Sequence, residues 1–199
     1  TEVIQEAASN AKNGGLTGLK LYGMVGLPTE TDEDVQATGD LLLNLKRGTP
    51  GLRFTLGVST FVPKAQTPFQ WQGVRPEAEK RLKRLAKTLR SKGIDFRPES
   101  YGWSVIQALL SRSDRRLAPV IAAVGDGRNS MGSWKKTYRA ALNGELEPMP
   151  GPELPAPPPW AEVIQEEWSA SRTLPWTHLR GPLAPERLRD HHDLALSHS

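Results

Sequence analysis

The stretch Leu19–Glu30, LKLYGMVGLPTE, decides the fold of this chain. Leu19, Leu21 and Val25 fall on one face of an extended chain, because successive side chains of a strand point to opposite faces. Gly26-Leu27-Pro28 then interrupts the pattern, since Gly and Pro mark turns. The stretch therefore predicts a strand that leaves the core and ends in a loop.

The pattern continues outward from this stretch as an alternation of strands and helices. A second strand is the clearest, because Phe54, Leu56 and Val58 occupy every other position. Apolar residues at helical spacing indicate the helices between the strands. The predicted elements are a helix over 1–13, strands over 17–25, 52–61 and 94–96, a helix that begins at Thr31, and a helix over 76–92.

Strands that alternate with helices are typical of parallel pairing, so the fold class predicted for residues 1–100 is α/β, in the form of a parallel sheet or barrel. The pattern changes from Tyr101 onward. We expect a helical extension over 101–146, an extended Pro-rich linker over 147–159, and a short helix with a largely irregular tail over 160–199.

Composition and charge narrow the function classes. The 199 residues carry a net charge of +4 and contain no cysteine, so disulfides are excluded. Lys and Arg alternate with Asp and Glu, which favours a solvated surface over a nucleic-acid interface. No apolar run approaches the ~20 residues that span a bilayer, and no signal segment opens the chain, so we expect a cytoplasmic protein without membrane contact. The first residue is Thr1, and we expect a fragment or a processed product.

The loop at 23–30 is the first candidate site. Two glycines, Gly23 and Gly26, let a flat ligand lie against the exposed backbone because no side chain intervenes. Active sites of α/β barrels lie at the carboxyl ends of strands, which is where this loop falls. A plain turn between a strand and a helix is the structural alternative.

A polar strand face is the second candidate. Arg53, Thr55 and Ser59 lie opposite the apolar residues of the second strand. Strands of a closed parallel sheet are usually apolar on both faces, so a polar face indicates either a wet cavity for a substrate or a face that lies in water.

Other segments also have two interpretations each. The loop at 61–71, FVPKAQTPFQW, reads as a stiff packed lid or as a structural loop with a solvated Lys64. The basic runs at 80–92 and 112–116 read as anion or RNA contacts, or as a solvated helix face and an ion-pair network around Asp114. His191 and His192 show no metal-ligand spacing, and we expect no metal site there.

The segments KLYGMVGLPTETDEDV and STFVPKAQTPFQW resemble the fifth-strand segment and the sixth-strand exit of radical S-adenosylmethionine (SAM) enzymes. Three later segments, LLSRSDRRLAPVI, Gly132-Ser133-Trp134 and LPWTHL, resemble the carboxyl-terminal extension of the cobalamin-binding-domain subgroup of that family. The resemblance runs from about Thr1 to Leu179. It implies that residues 1–100 are the carboxyl-terminal portion of a partial TIM-type barrel.

The resemblance also implies a chemistry. Family members hold a [4Fe-4S] cluster with three cysteines, and the cluster cleaves SAM to a radical that abstracts hydrogen from a substrate. Val25 and Gly26 would line the adenine through their backbone, Glu30 would hold the loop, and Phe61 and Val62 would close the adenine side.

By the same resemblance, Arg53, Thr55 and Ser59 would face the central cavity. The name of the subgroup adds cobalamin as a cofactor of the full-length protein, and the sequence leaves open whether it is used. The cluster cysteines have no counterpart in this chain, so the resemblance assigns it no metal ligand and no catalytic residue.

Two functional hypotheses follow from the sequence. In the first, the chain is the carboxyl-terminal part of a radical SAM enzyme, and its partner is the rest of the barrel. In the second, it is a non-catalytic binding module that contacts RNA through residues 80–92 and 112–116. Neither identifies the substrate.

Overall fold

The computed structural model describes residues 1–125, 127, 129–147 and 149–197. Two compact units share the chain: Thr1–Phe61 with Arg75–Tyr101, and Val62–Val74 with Gly102–Ser199. The predicted linker and tail include Pro148, His198 and Ser199, which lie outside the described residues. The segment 62–74 belongs to the second unit, although the sequence groups it with the first.

The first unit alternates helices and strands as predicted, and the predicted ends agree to within one or two residues. Thr31 begins the second helix through a capping box, since its hydroxyl accepts from the Asp34 N–H and the Asp34 carboxylate accepts from the Thr31 N–H. The pKa of Asp34 is lowered by that backbone hydrogen bond. The elements are α1 (Glu2–Asn13), β1 (Gly18–Val25), α2 (Asp32–Gly48), β2 (Arg53–Thr60), α3 (Glu77–Arg90) and β3 (Asp95–Pro98).

The three strands form one parallel sheet in the order β1-β2-β3. Both crossover helices cover the same face of this sheet, because the alternate residues Phe54, Leu56 and Val58 share one core with the leucines of α2 and α3. Consecutive strand order with crossovers of one hand gives this one-sided arrangement. The α/β class is therefore confirmed. Three strands form a small sheet, and its assignment to a barrel stays a proposal.

The second unit is mainly helical. Its elements are α4 (Tyr101–Arg112, which begins at the last residue of the first unit), a 3-10 turn (Arg115–Leu117), α5 (Ala118–Gly125), α6 (Met131–Leu142), α7 (Trp160–Ile164) and α8 (Pro185–Ser197). None of the helices in the described part of the chain combines the length and the apolar composition that crossing a bilayer requires.

Helix α8 lies in the segment for which the composition predicts an irregular tail. Its anchors are Leu188 and His192, one helical turn apart and both buried. The His192 ring lies edge-on to Trp71 at 5.4 Å between centroids, and its Nε2 is 3.1 Å from Gln72 Nε2. Contacts with residues about 120 positions earlier therefore stabilise a helix that its own polar composition does not indicate.

Tryptophans form the core that holds segment 62–74 in the second unit. All six tryptophans of the chain lie in this unit. Trp71, Trp168 and Trp176 pack with Leu174 and Leu188. The predicted lid is thus a buried structural loop at its Trp71 end, while Lys64 is exposed as the structural alternative predicts.

A buried arginine ties the same segments together. The Arg112 side chain is only 1% exposed and lies over the Trp168 ring, 3.8 Å from the centroid. Its Nη1 donates to the Val163 carbonyl at 2.7 Å, and its Nη2 donates to the carbonyls of Glu166 and Trp71 at 2.9 and 3.4 Å. Burial lowers the pKa of Arg112 to about 10, so the group keeps its charge at neutral pH.

Gly73 gives a test of this packing. A Cβ at Gly73 would lie 2.0 Å from the Gln165 carbonyl oxygen, where the backbone cannot move aside cheaply. We expect Gly73→Ala to lower the free energy of unfolding by about 2–3 kcal/mol or more. Urea unfolding followed by tryptophan fluorescence measures it, because every tryptophan reports on the second unit.

Gly132→Ala is the control, since the nearest atom to its added Cβ is the Ser130 hydroxyl oxygen at 3.8 Å and Ala favours helix more than Gly does. This variant should be neutral or slightly stabilised. Equal effects of the two substitutions would contradict the close approach of segments 71–74 and 164–168.

Candidate functional site

The carboxyl ends of β1 and β2 lie side by side. The parallel register places Val25 opposite Thr60, and the Phe61 N–H donates to the Val25 carbonyl at 2.8 Å. Val25 and Phe61 are both buried. The structure thus brings together three of the residues predicted for the adenine site, Val25, Gly26 and Phe61. Val62 is also buried, but it begins the second unit.

Gly26 is required at the end of β1 for two reasons. Its φ of +83° lies in the left-handed region, which side chains disfavour. A Cβ there would also lie 2.9 Å from the Cβ of Ala78 on α3. The backbone at Gly26 therefore passes directly against the helix, and the loop has no room for a larger residue.

Glu30 fixes the loop that Gly26 begins. Its Oε2 accepts a hydrogen bond from the Gly26 N–H at 2.7 Å and an ion-paired one from Arg81 Nη1 at 2.8 Å. Arg81 Nη2 also donates to the Glu30 carbonyl at 2.8 Å. The Gly26 N–H is therefore already bound, and Gly26 itself is buried.

Arg81 is a residue of the site that sequence reasoning missed. Its charge joins the loop to α3 across 51 positions, and nothing local in the sequence indicates that pairing. Its Nε also donates to Asp32 at 3.1 Å, and this bond is the main reason that the pKa of Asp32 is lowered. Thr60 was also missed: its buried Oγ1 has no hydrogen-bond partner among the described residues.

The basic run on α3 is largely paired within the first unit. Arg84 donates to Asp32 at 3.0 Å and Lys83 to Glu79 at 2.7 Å. Lys80 and Lys87 are exposed on the same helix. This arrangement is that of a solvated helix face, which was the structural alternative to a phosphate surface.

The predicted cavity residues lie on the sheet face that α2 and α3 leave uncovered. Arg53 is exposed there, Thr55 donates to Asp95 across the β2–β3 pair at 3.4 Å, and Ser59 is half-buried. Tyr22 on β1 stands on this face with 76% of its surface exposed. The three residues alternate along β2, so they share one face of the sheet.

Metal ligands are absent from the part of the chain that the structure describes. The sequence contains no cysteine, and no group of three or more His, Asp or Glu side chains is placed to hold a metal ion among the described residues. This chain therefore does not supply the ligand set of a [4Fe-4S] cluster.

Comparison with known proteins gives one distant relative. The chain is 32% identical over 115 residues to an uncharacterized protein of Methanocaldococcus jannaschii. The match covers 58% of this chain and 26% of that protein, so the chain spans about a quarter of the relative's length. No protein-family model matches the chain, and no solved structure matches it.

Gly26→Ala tests the geometry of the strand end. We expect a loss of about 2–4 kcal/mol in the free energy of unfolding, from the positive φ and from the contact with Ala78. Gly15→Ala is the matched control, because Gly15 has a φ of +85° but nothing within 4 Å of an added Cβ. Its loss should be about 1–2 kcal/mol. Urea unfolding followed by far-UV circular dichroism compares them, and equal losses would contradict the close approach to α3.

Proposed function

We propose that the first unit is the carboxyl-terminal portion of a radical SAM barrel and that, in the full-length protein, its strand ends contact SAM. The observation that carries the proposal is the pairing of a one-sided β-α-β-α-β sheet with a glycine loop fixed by Glu30 at the carboxyl end of β1. The chain's part in the reaction is to bind and orient SAM, and a cytoplasmic location belongs to the same proposal.

The open sheet supports a larger barrel. Among the described residues β1 and β3 each pair only with β2, so both outer edges of the sheet are unpaired. Unpaired edges of a parallel sheet are usually covered by further strands. In the proposal these strands come from the rest of the full-length protein, and the length of the distant relative beyond the matched segment agrees with this.

The polar face supports a cavity on the inner side of such a barrel. Helices lie outside a barrel and the opposite face of each strand lines its interior. Arg53, Thr55 and Ser59 would then face the interior, where they could bind a polar substrate by charge and hydrogen bonds. Buried Val25 and Phe61 would exclude water from the adenine, and Glu30 would hold the loop rigid.

The cluster ligands would come from outside this chain, since it has no cysteine. When bound together, the cluster and SAM supply hydrogen abstraction from a substrate. No residue of this chain is assigned to that step, nor to cobalamin, which the family resemblance adds as a possible cofactor of the full-length protein.

The RNA-binding alternative has weaker support. Arg112 is buried and Arg116 pairs with Asp114 at 2.7 Å, so the run 112–116 is not an exposed basic stripe. On α3 the three pairs to Asp32, Glu30 and Glu79 neutralise much of the charge. We expect no retention of the chain on immobilised RNA at physiological salt. Retention that falls steeply as salt rises would favour the alternative.

The full-length protein of the gene that encodes this chain gives the main test. Purified without oxygen and reduced, it should show cluster absorbance and cleave SAM to 5′-deoxyadenosine. Ser59→Phe should reduce this cleavage at least about tenfold, because the ring would fill the interior beside the strand ends. Lys87→Phe places the same ring on the exposed face of α3 and should leave cleavage unchanged.

Two results would overturn the proposal. A full-length protein without a CxxxCxxC segment could not hold the cluster. The second result is equal SAM cleavage by wild type and by a Ser59→Phe variant whose circular dichroism spectrum matches that of the wild type. It would show that the polar face does not line the interior of the barrel.

A further inference from the structure

An arginine-lined cavity occupies the second unit and is separate from the proposed SAM site. Its volume is about 670 Å³, which lies in the range of pockets for small organic ligands. Three chain segments line it: residues 112–117, the proline segment 155–158, and residues from Trp168 to His178. We name this space the arginine cavity.

Some basic side chains of the arginine cavity form ion pairs with carboxylates, and others do not. Arg116 forms a short bidentate pair with Asp114, which lowers the pKa of that carboxyl, and Arg172 donates to Glu162 at 2.7 Å. Arg112 donates only to backbone carbonyls. The exposed Arg115 has no hydrogen-bond or ion-pair partner among the described residues. Four arginines and one carboxylate, that of Asp114, line the cavity, so its lining carries a net positive charge.

A buried arginine in the cavity wall also favours an anion in the cavity. Arg112 lines the cavity, is almost fully buried, and its Nε has no hydrogen-bond partner among the described residues. An unpartnered donor on a buried guanidinium costs free energy unless something accepts from it. The Nε has almost no accessible surface, so the buried Arg112 acts on the cavity through its charge, whereas an anion there would meet the exposed guanidinium of Arg115 directly.

The remaining walls are largely apolar. Four prolines face the cavity with Leu174 and Trp168, and the polar residues there include Thr173 and His178. The proline segment is fixed by the Tyr138 hydroxyl, which donates to the Pro158 carbonyl at 2.7 Å, and burial raises the pKa of Tyr138 to about 12. Residues 155–158 are therefore a wall of a folded unit, although the sequence predicts a solvated linker.

We propose that the arginine cavity binds a small organic molecule that carries one phosphate group. A phosphate monoester holds about −1.5 to −2 charges at neutral pH, which suits a lining of four arginines and one aspartate. Arginine forks suit phosphate oxygens. The proline wall gives the organic body an apolar surface, and the volume exceeds what a bare phosphate ion needs. This proposal does not depend on the one for the first unit.

Calorimetric titration of the 199-residue chain at constant ionic strength tests the proposal. The probes are phenyl phosphate, inorganic phosphate and benzoate. We expect phenyl phosphate to bind about tenfold more tightly than either of the others, because only it offers both the dianion and the apolar ring. Tryptophan emission should change in parallel, since Trp168 lines the cavity.

Variants of the unpaired arginine locate the binding. Arg115→Ala should weaken phenyl phosphate binding roughly tenfold, and Arg115→Lys about threefold, because lysine keeps the charge but loses the fork. Arg187→Ala removes an equally exposed charge on α8, outside the cavity, and should leave binding unchanged. Circular dichroism checks that each variant is folded.

Three outcomes would overturn the proposal. Absence of binding by phenyl phosphate would remove the site. Equal weakening by Arg115→Ala and Arg187→Ala would reduce it to general attraction by a basic surface. Benzoate binding as tight as that of phenyl phosphate would exclude the phosphate assignment. None of these results would affect the SAM proposal, which is tested by SAM cleavage in the full-length protein.

Discussion

The second unit depends on the hydrogen bonds that the buried guanidinium of Arg112 donates to backbone carbonyls. Removing a charge from water costs several kcal/mol, and the cost falls only where hydrogen bonds replace the lost water. Here three carbonyls from two distant segments supply those bonds, and the Trp168 ring lies against the charged plane. The same group holds Trp71 of segment 62–74 and contributes positive charge to the wall of the arginine cavity.

The first unit depends on a similar buried contact of a charged side chain, the ion pair of Glu30 and Arg81. Glu30 and Arg81 are both mostly buried and satisfy each other while holding the backbone at the end of β1. In both units, then, a charged side chain holds irregular backbone that lies outside the hydrogen-bond ladders of helices and sheets. The difference lies in the partner: a carboxylate accepts from Arg81, whereas the hydrogen bonds of Arg112 all go to backbone carbonyls.

Local periodicity accounts for what the sequence predicts well. The alternation of Phe54, Leu56 and Val58 and the capping residue Thr31 define elements through neighbours a few positions away, and these elements are present where predicted. The loop residues Val25, Gly26, Glu30 and Phe61 also lie close together, because parallel strands end at one edge. Their role toward SAM stays a prediction.

Long-range pairing accounts for what the sequence does not predict. Helix α8 is stabilised by Leu188 and His192, which pack against residues near position 71. Trp71 belongs to the second unit because the residues that it packs against lie beyond position 160. Neither contact leaves a periodic signal in its own segment. The arginine cavity is similar: Arg115 resembles its charged neighbours in the sequence, and only the pairing of Arg116 and Arg172 with carboxylates distinguishes it.

The path of the chain has a consequence for how the gene of this protein can be divided. The chain passes between the units three times, after Phe61, after Val74 and after Tyr101. A single recombination event at residue 100 would separate Trp71 from the tryptophans that it packs against, and so would leave the second unit without part of its core. No single division of the chain therefore leaves both units with a complete core, even though each has a core of its own.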